Sequence, residues 1–232
     1  MLSKYPAYVI HLESHVDREP IIERLQKSLS IPIEIFNASN GSQWWNDKSI
    51  PKKHPWRFDT VSIGMVGCAQ SHISLLRKIY ETTDKGVLLF EDDAELIQAP
   101  ETLKAFVKSV KDFTEETMYD IPKNTREWDI FLLGATEYVK SKPITHEIQR
   151  VYRFWGAHAM YIKHDKIPSI ISTFEKYLSM GIFLPADWLY NKAIEEKHLV
   201  VYGPSQPKLY IQQSAGLIKN KVPSSTEFKY SP

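Results

Sequence analysis

The chain has 232 residues, 43% of them hydrophobic, and a formal net charge of +1. That length can bury one sizeable core, and the near-zero charge argues against a nucleic-acid or acidic-membrane surface. Cys68 is the only cysteine, which excludes an intrachain disulfide. We therefore expect a single domain over residues 1–218, a polar and mobile tail at 219–232, and no nucleic-acid partner.

The beginning of the chain carries no apolar signal core, because the first apolar run, which ends at Leu12, is already interrupted by His11. No uninterrupted apolar stretch approaches the ~20 residues that a membrane-spanning helix needs. Two glycosylation sequons, at Asn37 and Asn40, are interpreted as incidental. The sequence thus predicts a soluble, cytoplasmic protein without a transmembrane segment.

Strand and helix patterns alternate along the chain, which is typical of an α/β fold. In the first half we expect strands at 8–12, 33–36 and 87–90, helices at 17–29 and 67–81, and a long aromatic loop at 42–63. In the second half we expect helices at 100–113, 165–178 and 186–197, a surface loop up to 126, and strands at 129–134, 157–162, 199–202 and 208–211.

One buried strand runs directly into three carboxylates: Val87–Phe90 is followed by Glu91, Asp92 and Asp93. Ligands of α/β sheets bind beyond the carboxyl ends of such strands. Adjacent carboxylates repel one another unless a cation is present, and oxygen ligands suit Mg²⁺ or Mn²⁺, which in turn hold phosphates. The pattern indicates a metal-assisted site for a diphosphate; the alternative is a solvated acidic turn.

Several segments, taken in order, resemble glycosyltransferase family 25, which includes bacterial lipooligosaccharide galactosyltransferases and procollagen galactosyltransferases. The segments are YVIHL at 8–12 with Asp17-Arg18, NASNG at 37–41, GMVGCAQSHISL at 64–75, FEDDA at 90–94, GAHAMYI at 156–162, PAD at 185–187 and QPKLYIQ at 206–212. Ser214-Ala215-Gly216-Leu217-Ile218 departs from the family, which often has an acidic residue after this serine.

The resemblance implies a GT-A (Rossmann-like) fold, with a mostly parallel central sheet flanked by helices. It also implies transfer of a hexose, galactose or alternatively glucose, from a UDP-sugar with inversion at the anomeric carbon. The cofactor would be Mn²⁺ or Mg²⁺. Asp93 would ligate the metal directly, Glu91 would ligate it through water or bind the ribose, and Asp92 would support the nucleotide.

Inversion requires a base for the acceptor hydroxyl on the face opposite the leaving group. The candidate is Asp187, at the predicted start of a helix. The alternative is a structural role, because aspartate is also a preferred helix N-cap.

The resemblance also implies a set of donor-binding residues: Leu12, Arg18, Ser71, His72, Gly156 and Ala157. Arg18 would hold the phosphates, or be a solvent-exposed cation instead. Ser71 and His72 would bond the ribose or uracil, and His72 could equally be structural. Gly156 and Ala157 would line the sugar pocket, where small residues allow close approach of the backbone. His158 beside them is either part of that pocket or a buried structural histidine.

The aromatic loop supplies Trp44 and Trp45 as a candidate acceptor platform, since aromatic faces suit the C–H faces of sugars. The alternative is a loop that packs its own small core, which we favour for Trp56. Cys68 is predicted to be a small buried apolar residue. The acceptor would be a glycan or a collagen-like protein. Two other classes stay open: a non-catalytic relative that binds a nucleotide sugar or a protein, and a metal-dependent phosphohydrolase.

Overall fold

The computed structural model describes residues 5–42, 63–97, 102, 128–182 and 184–213. The strands are β1 (Ala7–His11), β2 (Glu34–Asn37), β3 (Val87–Glu91), β4 (Ala94–Leu96), β5 (Ile130–Gly134), β6 (Glu137–Pro143), β7 (Ile148–Trp155), β8 (Ala159–Ile162), β9 (Val201–Pro204) and β10 (Ile211–Gln213). The helices are α1 (Glu19–Leu29), α2 (Ile63–Thr82), α3 (Ile167–Ser179) and α4 (Ala186–Lys197), with short 3-10 turns at Val16–Arg18 and His164–Lys166.

Eight of these strands form one sheet in the order β2-β1-β3-β8-β5-β9-β7-β6. Strands β1, β2 and β3 are parallel neighbours, and β5 pairs in parallel with β9. Strand β8 runs antiparallel between β3 and β5, and the β6–β7 hairpin adds antiparallel pairs at one edge. The central strands β1, β3, β5 and β9 therefore share one direction, and their carboxyl ends lie at one edge of the sheet.

The sheet buries both of its faces, because alternate residues along each strand point to opposite sides. One face carries Tyr8, Ile10, Val87 and Leu89 and packs against α2, α3 and α4. The other face carries Val9, Leu88 and Phe90 and packs against α1, whose buried stripe is Ile21, Ile22, Leu25 and Leu29. The predicted α/β architecture, a mostly parallel sheet flanked by helices, is confirmed.

Most predicted elements lie within a few residues of the observed ones, and the helix over 186–197 has the predicted bounds. The last two strands begin later than predicted. Strand β9 is observed at Val201–Pro204 and was predicted at 199–202; β10 is observed at Ile211–Gln213 and was predicted at 208–211. The β6–β7 hairpin was not predicted. Its first strand is exposed along nearly its whole length, so it lacks the apolar alternation that marks a half-buried strand.

Four predicted segments lie wholly or almost wholly outside the described residues. They are the helix at 100–113, the loop up to 126, the aromatic loop with Trp44 and Trp45, and the tail at 219–232. Among the helices that the structure does describe, none combines the length and apolar character needed to cross a bilayer.

Candidate active site

The three carboxylates at the carboxyl end of β3 contact different partners, as the alternation of a strand requires. Leu89 faces α2 and α4, whereas Phe90 faces α1. Glu91 continues the first side and reaches Cys68 and His72 of α2. Asp92 continues the second side and reaches Arg18, which immediately precedes α1.

Glu91, Asp93 and His158 together form a group that could hold a divalent cation. One ligand atom from each lies within 4.8 Å of the other two. The Nδ1 atom of His158 is 3.5 Å from a Glu91 oxygen and 3.8 Å from an Asp93 oxygen. His158 stands here because it precedes β8, which pairs with β3. The predicted pair of acidic residues is thus joined by an imidazole that the sequence had not assigned to a metal.

The orientation of His158 is fixed by its other ring nitrogen, Nε2, which lies 2.9 Å from the hydroxyl of Thr136. Nε2 can donate to that hydroxyl and leave Nδ1 to face the carboxylates. Histidines that bind metals are commonly held by such a bond from the second nitrogen. With two carboxylate oxygens and one imidazole nitrogen, the group suits Mn²⁺ better than Mg²⁺, which prefers oxygen ligands alone.

The charges of Glu91, Asp93 and Asp187 raise the pKa of His158, and His158 in turn lowers that of Glu91. Burial opposes the charged form of His158, but the contact with Glu91 and the charges of Asp93 and Asp187 outweigh it and raise the pKa of His158. Burial alone would raise the pKa of Glu91, yet His158 and His72 hold it well below its usual range. Glu91 is therefore ionised, and the Nδ1 edge of His158 lies where a cation would balance the same carboxylates.

A second group lies on the other side of Glu91 and consists of Cys68, His72 and the same carboxylate. His72 is fully buried, with Nε2 3.3 Å from Glu91 and Nδ1 3.1 Å from the hydroxyl of Tyr190. The Cys68 sulfur is 3.8 Å from Glu91, and burial followed by the charges of Glu91 and Asp187 raises the thiol pKa well above its usual value. The expectation that Cys68 is a buried apolar residue holds only in part, because Cys68 is half-buried and its sulfur contacts a carboxylate.

Asp92 is a buried anchor for Arg18. Its side chain is 7% exposed, pairs with the Arg18 guanidinium and lies 3.0 Å from Nδ1 of His11. The Arg18 side chain is only 26% exposed and is paired with Asp92. The alternative prediction, that Arg18 is a solvent-exposed cation, is therefore wrong. Because Asp92 holds one side of the guanidinium, the remaining N–H groups are directed by the protein rather than by solvent.

A cavity of about 390 Å³ lies at the carboxyl ends of β1 and β3. Six of the residues predicted to bind the donor line it: Leu12, Arg18, Ser71, His72, Glu91 and Asp92. Ser71 also has a structural role, since its hydroxyl donates to the carbonyl of Gly67 and accepts the N–H of Ser39. The backbone of Ser39–Gly41 and the start of α2 close the remaining walls.

Asp187 lies outside that cavity and beside the cation group. It is the second residue of α4, whose N-cap is Pro185, so the alternative of an N-cap aspartate is wrong. Its two oxygens accept the N–H groups of Gly156 at 3.0 Å and Trp188 at 2.8 Å. Burial raises the pKa of Asp187; the Gly156 N–H opposes this, and the charge of Glu91 adds to it. A raised pKa makes the carboxylate a stronger base.

Gly156 lies between Asp187 and His158, because its N–H donates to Asp187 and its Cα is close to the His158 ring. Its φ of +72° belongs to the left-handed region, and a Cβ there would come within 2.3 Å of the Thr136 hydroxyl and 2.7 Å of His158 Nε2. Only glycine therefore fits between these side chains. Gly156 and Ala157 are not among the residues that line the cavity; they immediately precede His158 of the cation group.

Sequence reasoning missed three residues of this site. The sequence left open whether His158 lines a pocket or is structural. It assigned no role to His11, and Tyr190 was not considered. The sequence did offer one signal for His158, namely its position two residues after Gly156 and directly before a strand. However, His158 reaches Glu91 only because β8 lies beside β3 in the sheet. Trp44 and Trp45 lie outside the described residues, so the predicted acceptor platform stays a prediction.

Comparison with known proteins agrees with this geometry. The model of glycosyltransferase family 25 (LPS biosynthesis protein) matches residues 4–186. The chain therefore belongs to glycosyltransferase family 25. Procollagen galactosyltransferase 2 of Mus musculus is 22% identical over 214 residues, which cover 83% of this chain and 32% of that protein. The chain thus spans about a third of the length of this curated relative.

Solved structures with a similar course of the chain include a mutant of Drosophila β-1,4-galactosyltransferase 7 in complex with manganese, UDP-Gal and xylobiose. It is 8% identical, the likeness covers 90% of this chain and 70% of that one, and the TM-score is 0.45. Mouse xyloside xylosyltransferase 1 in its apo form is 7% identical, with 84% and 69% coverage and a TM-score of 0.41. The family match and the topology of the sheet agree with the predicted GT-A-type fold.

Proposed function

We propose that this glycosyltransferase moves a hexose from a UDP-sugar to a hydroxyl of a glycan or collagen-like protein, with a divalent metal and with inversion. The observation that carries the proposal is the convergence of Glu91, Asp93 and His158 beside a cavity that also contains Arg18. Galactose is the preferred hexose, in keeping with the family and with the name of the mouse relative. Glucose is the alternative.

Glu91, Asp93 and His158 would hold the metal, with Mn²⁺ favoured over Mg²⁺ by the imidazole nitrogen. When bound, the ion would supply charge neutralisation for the departing diphosphate. Arg18, oriented by Asp92, would bind a phosphate oxygen from the opposite wall of the cavity. Leu12, Ser71 and His72 would contact the nucleoside, and Asp92 would support it indirectly through Arg18.

Asp187 would take the proton of the acceptor hydroxyl. Its partly buried carboxylate has a raised pKa, and both of its oxygens are aimed by backbone N–H groups. Each oxygen retains a lone pair for a substrate proton. Gly156 and Ala157 would lie along the transferred sugar, between the base and the cation group. Trp44 and Trp45 would contribute to acceptor binding.

The test is to incubate the protein with Mn²⁺ and a panel of nucleotide sugars and to follow nucleoside diphosphate release with and without acceptor. We expect release from UDP-galactose, stimulated by acceptor and abolished by a chelator. Tight donor binding without turnover would instead favour the non-catalytic relative. Release of inorganic phosphate without sugar transfer would favour the phosphohydrolase.

A further inference from the structure

A second cavity, of about 680 Å³, lies between the β6–β7 hairpin and α4, away from the donor cavity. We call it the basic groove and define it by Lys140, Arg150, Tyr152, Arg153, Trp188 and Lys192, all of which line it. Its lining contains these four cationic side chains and one carboxylate, Glu195, which is paired with Lys192 at 3.0 Å. The chain as a whole carries a formal net charge of +1, whereas this lining has four cations and one carboxylate.

Aromatic rings hold the cations of the basic groove in place. The guanidinium of Arg153 lies 5.7 Å from the Trp188 ring centre, and that of Arg150 lies 5.4 Å from Tyr152. The Lys140 ammonium is 5.6 Å from the same tyrosine ring. Stacked guanidinium groups keep their N–H donors in the plane, where they can bind carboxylate or phosphate oxygens in a bidentate way. The groove is therefore organised before any anion arrives.

Arg150 is partly engaged within the fold. Its guanidinium interacts with Tyr202 of the neighbouring strand β9, whereas its buried Nε atom has no hydrogen-bond partner in the part of the chain that the structure describes.

One end of the groove is lined by the residue that follows the proposed base. Trp188 directly follows Asp187, and its ring lies 5.2 Å from that of Trp155, which precedes Gly156. From Trp188 the groove follows α4 to His198 over about 15 Å at the rise of an α-helix. That is longer than one sugar ring, so a chain whose reacting hydroxyl lies at Asp187 could extend along the groove.

We propose that the basic groove binds the anionic part of an acidic oligosaccharide, one that carries carboxylate or phosphate groups. The identification of this oligosaccharide as the acceptor rests on the proposed function; the binding itself does not. Cations supply the anion sites, and the exposed edges of Tyr152 and Trp188 supply apolar contact for sugar C–H groups. This combination fits an acidic glycan better than a neutral one.

The test is calorimetric titration of the Mn²⁺-loaded protein with four probes: neutral maltotetraose, a phosphorylated maltotetraose, a hyaluronan tetrasaccharide and an oligoglutamate peptide of similar charge. We expect the two acidic sugars to bind at least about tenfold more tightly than maltotetraose, and the preference to fall with salt. Whichever acidic sugar binds more tightly identifies the anion as phosphate or carboxylate. Equal affinity for neutral and acidic sugars, or a preference for the peptide, would overturn the proposal.

Lys140→Glu should weaken binding of the acidic sugars about tenfold and leave maltotetraose unaffected. Lys140 is exposed, so the variant should fold. Lys197→Glu is the matched control, because Lys197 is an exposed lysine of α4 that does not line the groove. An equal effect of both variants would also overturn the proposal. Donor hydrolysis without acceptor should be unchanged in both variants, which separates a failure of this groove from a failure of the transferase itself.

Discussion

Asp92 and Asp93 are neighbours in sequence, yet they have different partners. Asp92 is engaged by Arg18 and His11, whereas Asp93 faces His158. Removing the two carboxylates should therefore have different consequences. Loss of Asp92 would release Arg18 and leave a buried histidine without its partner, whereas loss of Asp93 would remove one oxygen from the cation group.

Asp93→Asn should abolish Mn²⁺-dependent UDP binding while the protein remains folded. The amide is nearly the same size but carries no charge to balance the cation. Calorimetry with Mn²⁺ and UDP, together with circular dichroism, measures both properties. Asp84→Asn, at an exposed turn before β3, is the control and should bind normally. Unchanged binding by the Asp93 variant would refute its role as a metal ligand.

The affinity for Mn²⁺ should rise with pH across the range in which His158 loses its proton, a range that lies above that of an ordinary histidine. The pKa of His158 is raised above the ordinary histidine value by Glu91 and Asp93 acting against burial, so the proton persists to higher pH and competes with the metal. Affinity should level off once the imidazole is neutral. Titrations with Mn²⁺ at several pH values test this, and His158→Gln should bind weakly with little dependence over this range. A flat profile for the native protein would contradict the assignment.

Asp187→Asn should bind donor normally and transfer the sugar about 10²–10⁴-fold more slowly, the range typical of a lost general base. The asparagine oxygen can still accept one of the N–H groups of Gly156 and Trp188, so the local structure should survive. Steady-state kinetics with thermal melting separate the two roles. A lower melting temperature with an unchanged rate would show that Asp187 serves the structure alone.

At the scale of elements, the connection between β7 and β8 places Gly156 and His158. Gly156→Ala should lower stability by about 1–3 kcal/mol through backbone strain, and should also weaken Mn²⁺ binding because the new methyl group would displace the His158 ring. Gly181, with φ of +71° just after α3, provides the control. Gly181→Ala should cost similar stability, measured by denaturant unfolding, and leave Mn²⁺ binding intact. Equal Mn²⁺ affinity in both variants would contradict this account.

The same elements show what periodicity can and cannot predict. Helix α4 has buried apolar residues at helical spacing and strand β3 is a continuous apolar run, so both were predictable from the chain alone. The β6–β7 hairpin was not, because β6 is almost wholly exposed and β7 buries every third residue, Ile148, Val151 and Phe154, rather than every second. Strand β8 was expected, but its antiparallel place between β3 and β5 is a tertiary pairing that local sequence does not encode.

At the scale of the molecule, the site is a product of strand order. The sheet brings the end of β1, the end of β3 and the start of β8 together, although Leu12, Glu91 and His158 are far apart in sequence. The acidic run and Arg18 could be predicted as site residues from their chemistry and the family resemblance. The contacts of His11, His158 and Tyr190 could not, because each depends on which element lies next to β3 or α2.

Under the two proposals, the two cavities of the molecule would serve different tasks. The donor cavity holds Arg18 and the acidic side chains, whereas the basic groove extends from Trp188 along α4. Asp187 interacts with Glu91 and His158, and Trp188, which follows it, lines the basic groove. Under the proposed function, the donor would bind in the first cavity and the acceptor would reach Asp187 from the groove.

The most direct test of the account is calorimetric titration of the folded protein with UDP-galactose in the presence and absence of Mn²⁺. We predict binding that needs Mn²⁺ and disappears in Asp93→Asn. Binding of equal strength without the metal, or no uptake of any sugar nucleotide with it, would contradict the claim that Glu91, Asp93 and His158 complete a site for a metal-bound diphosphate.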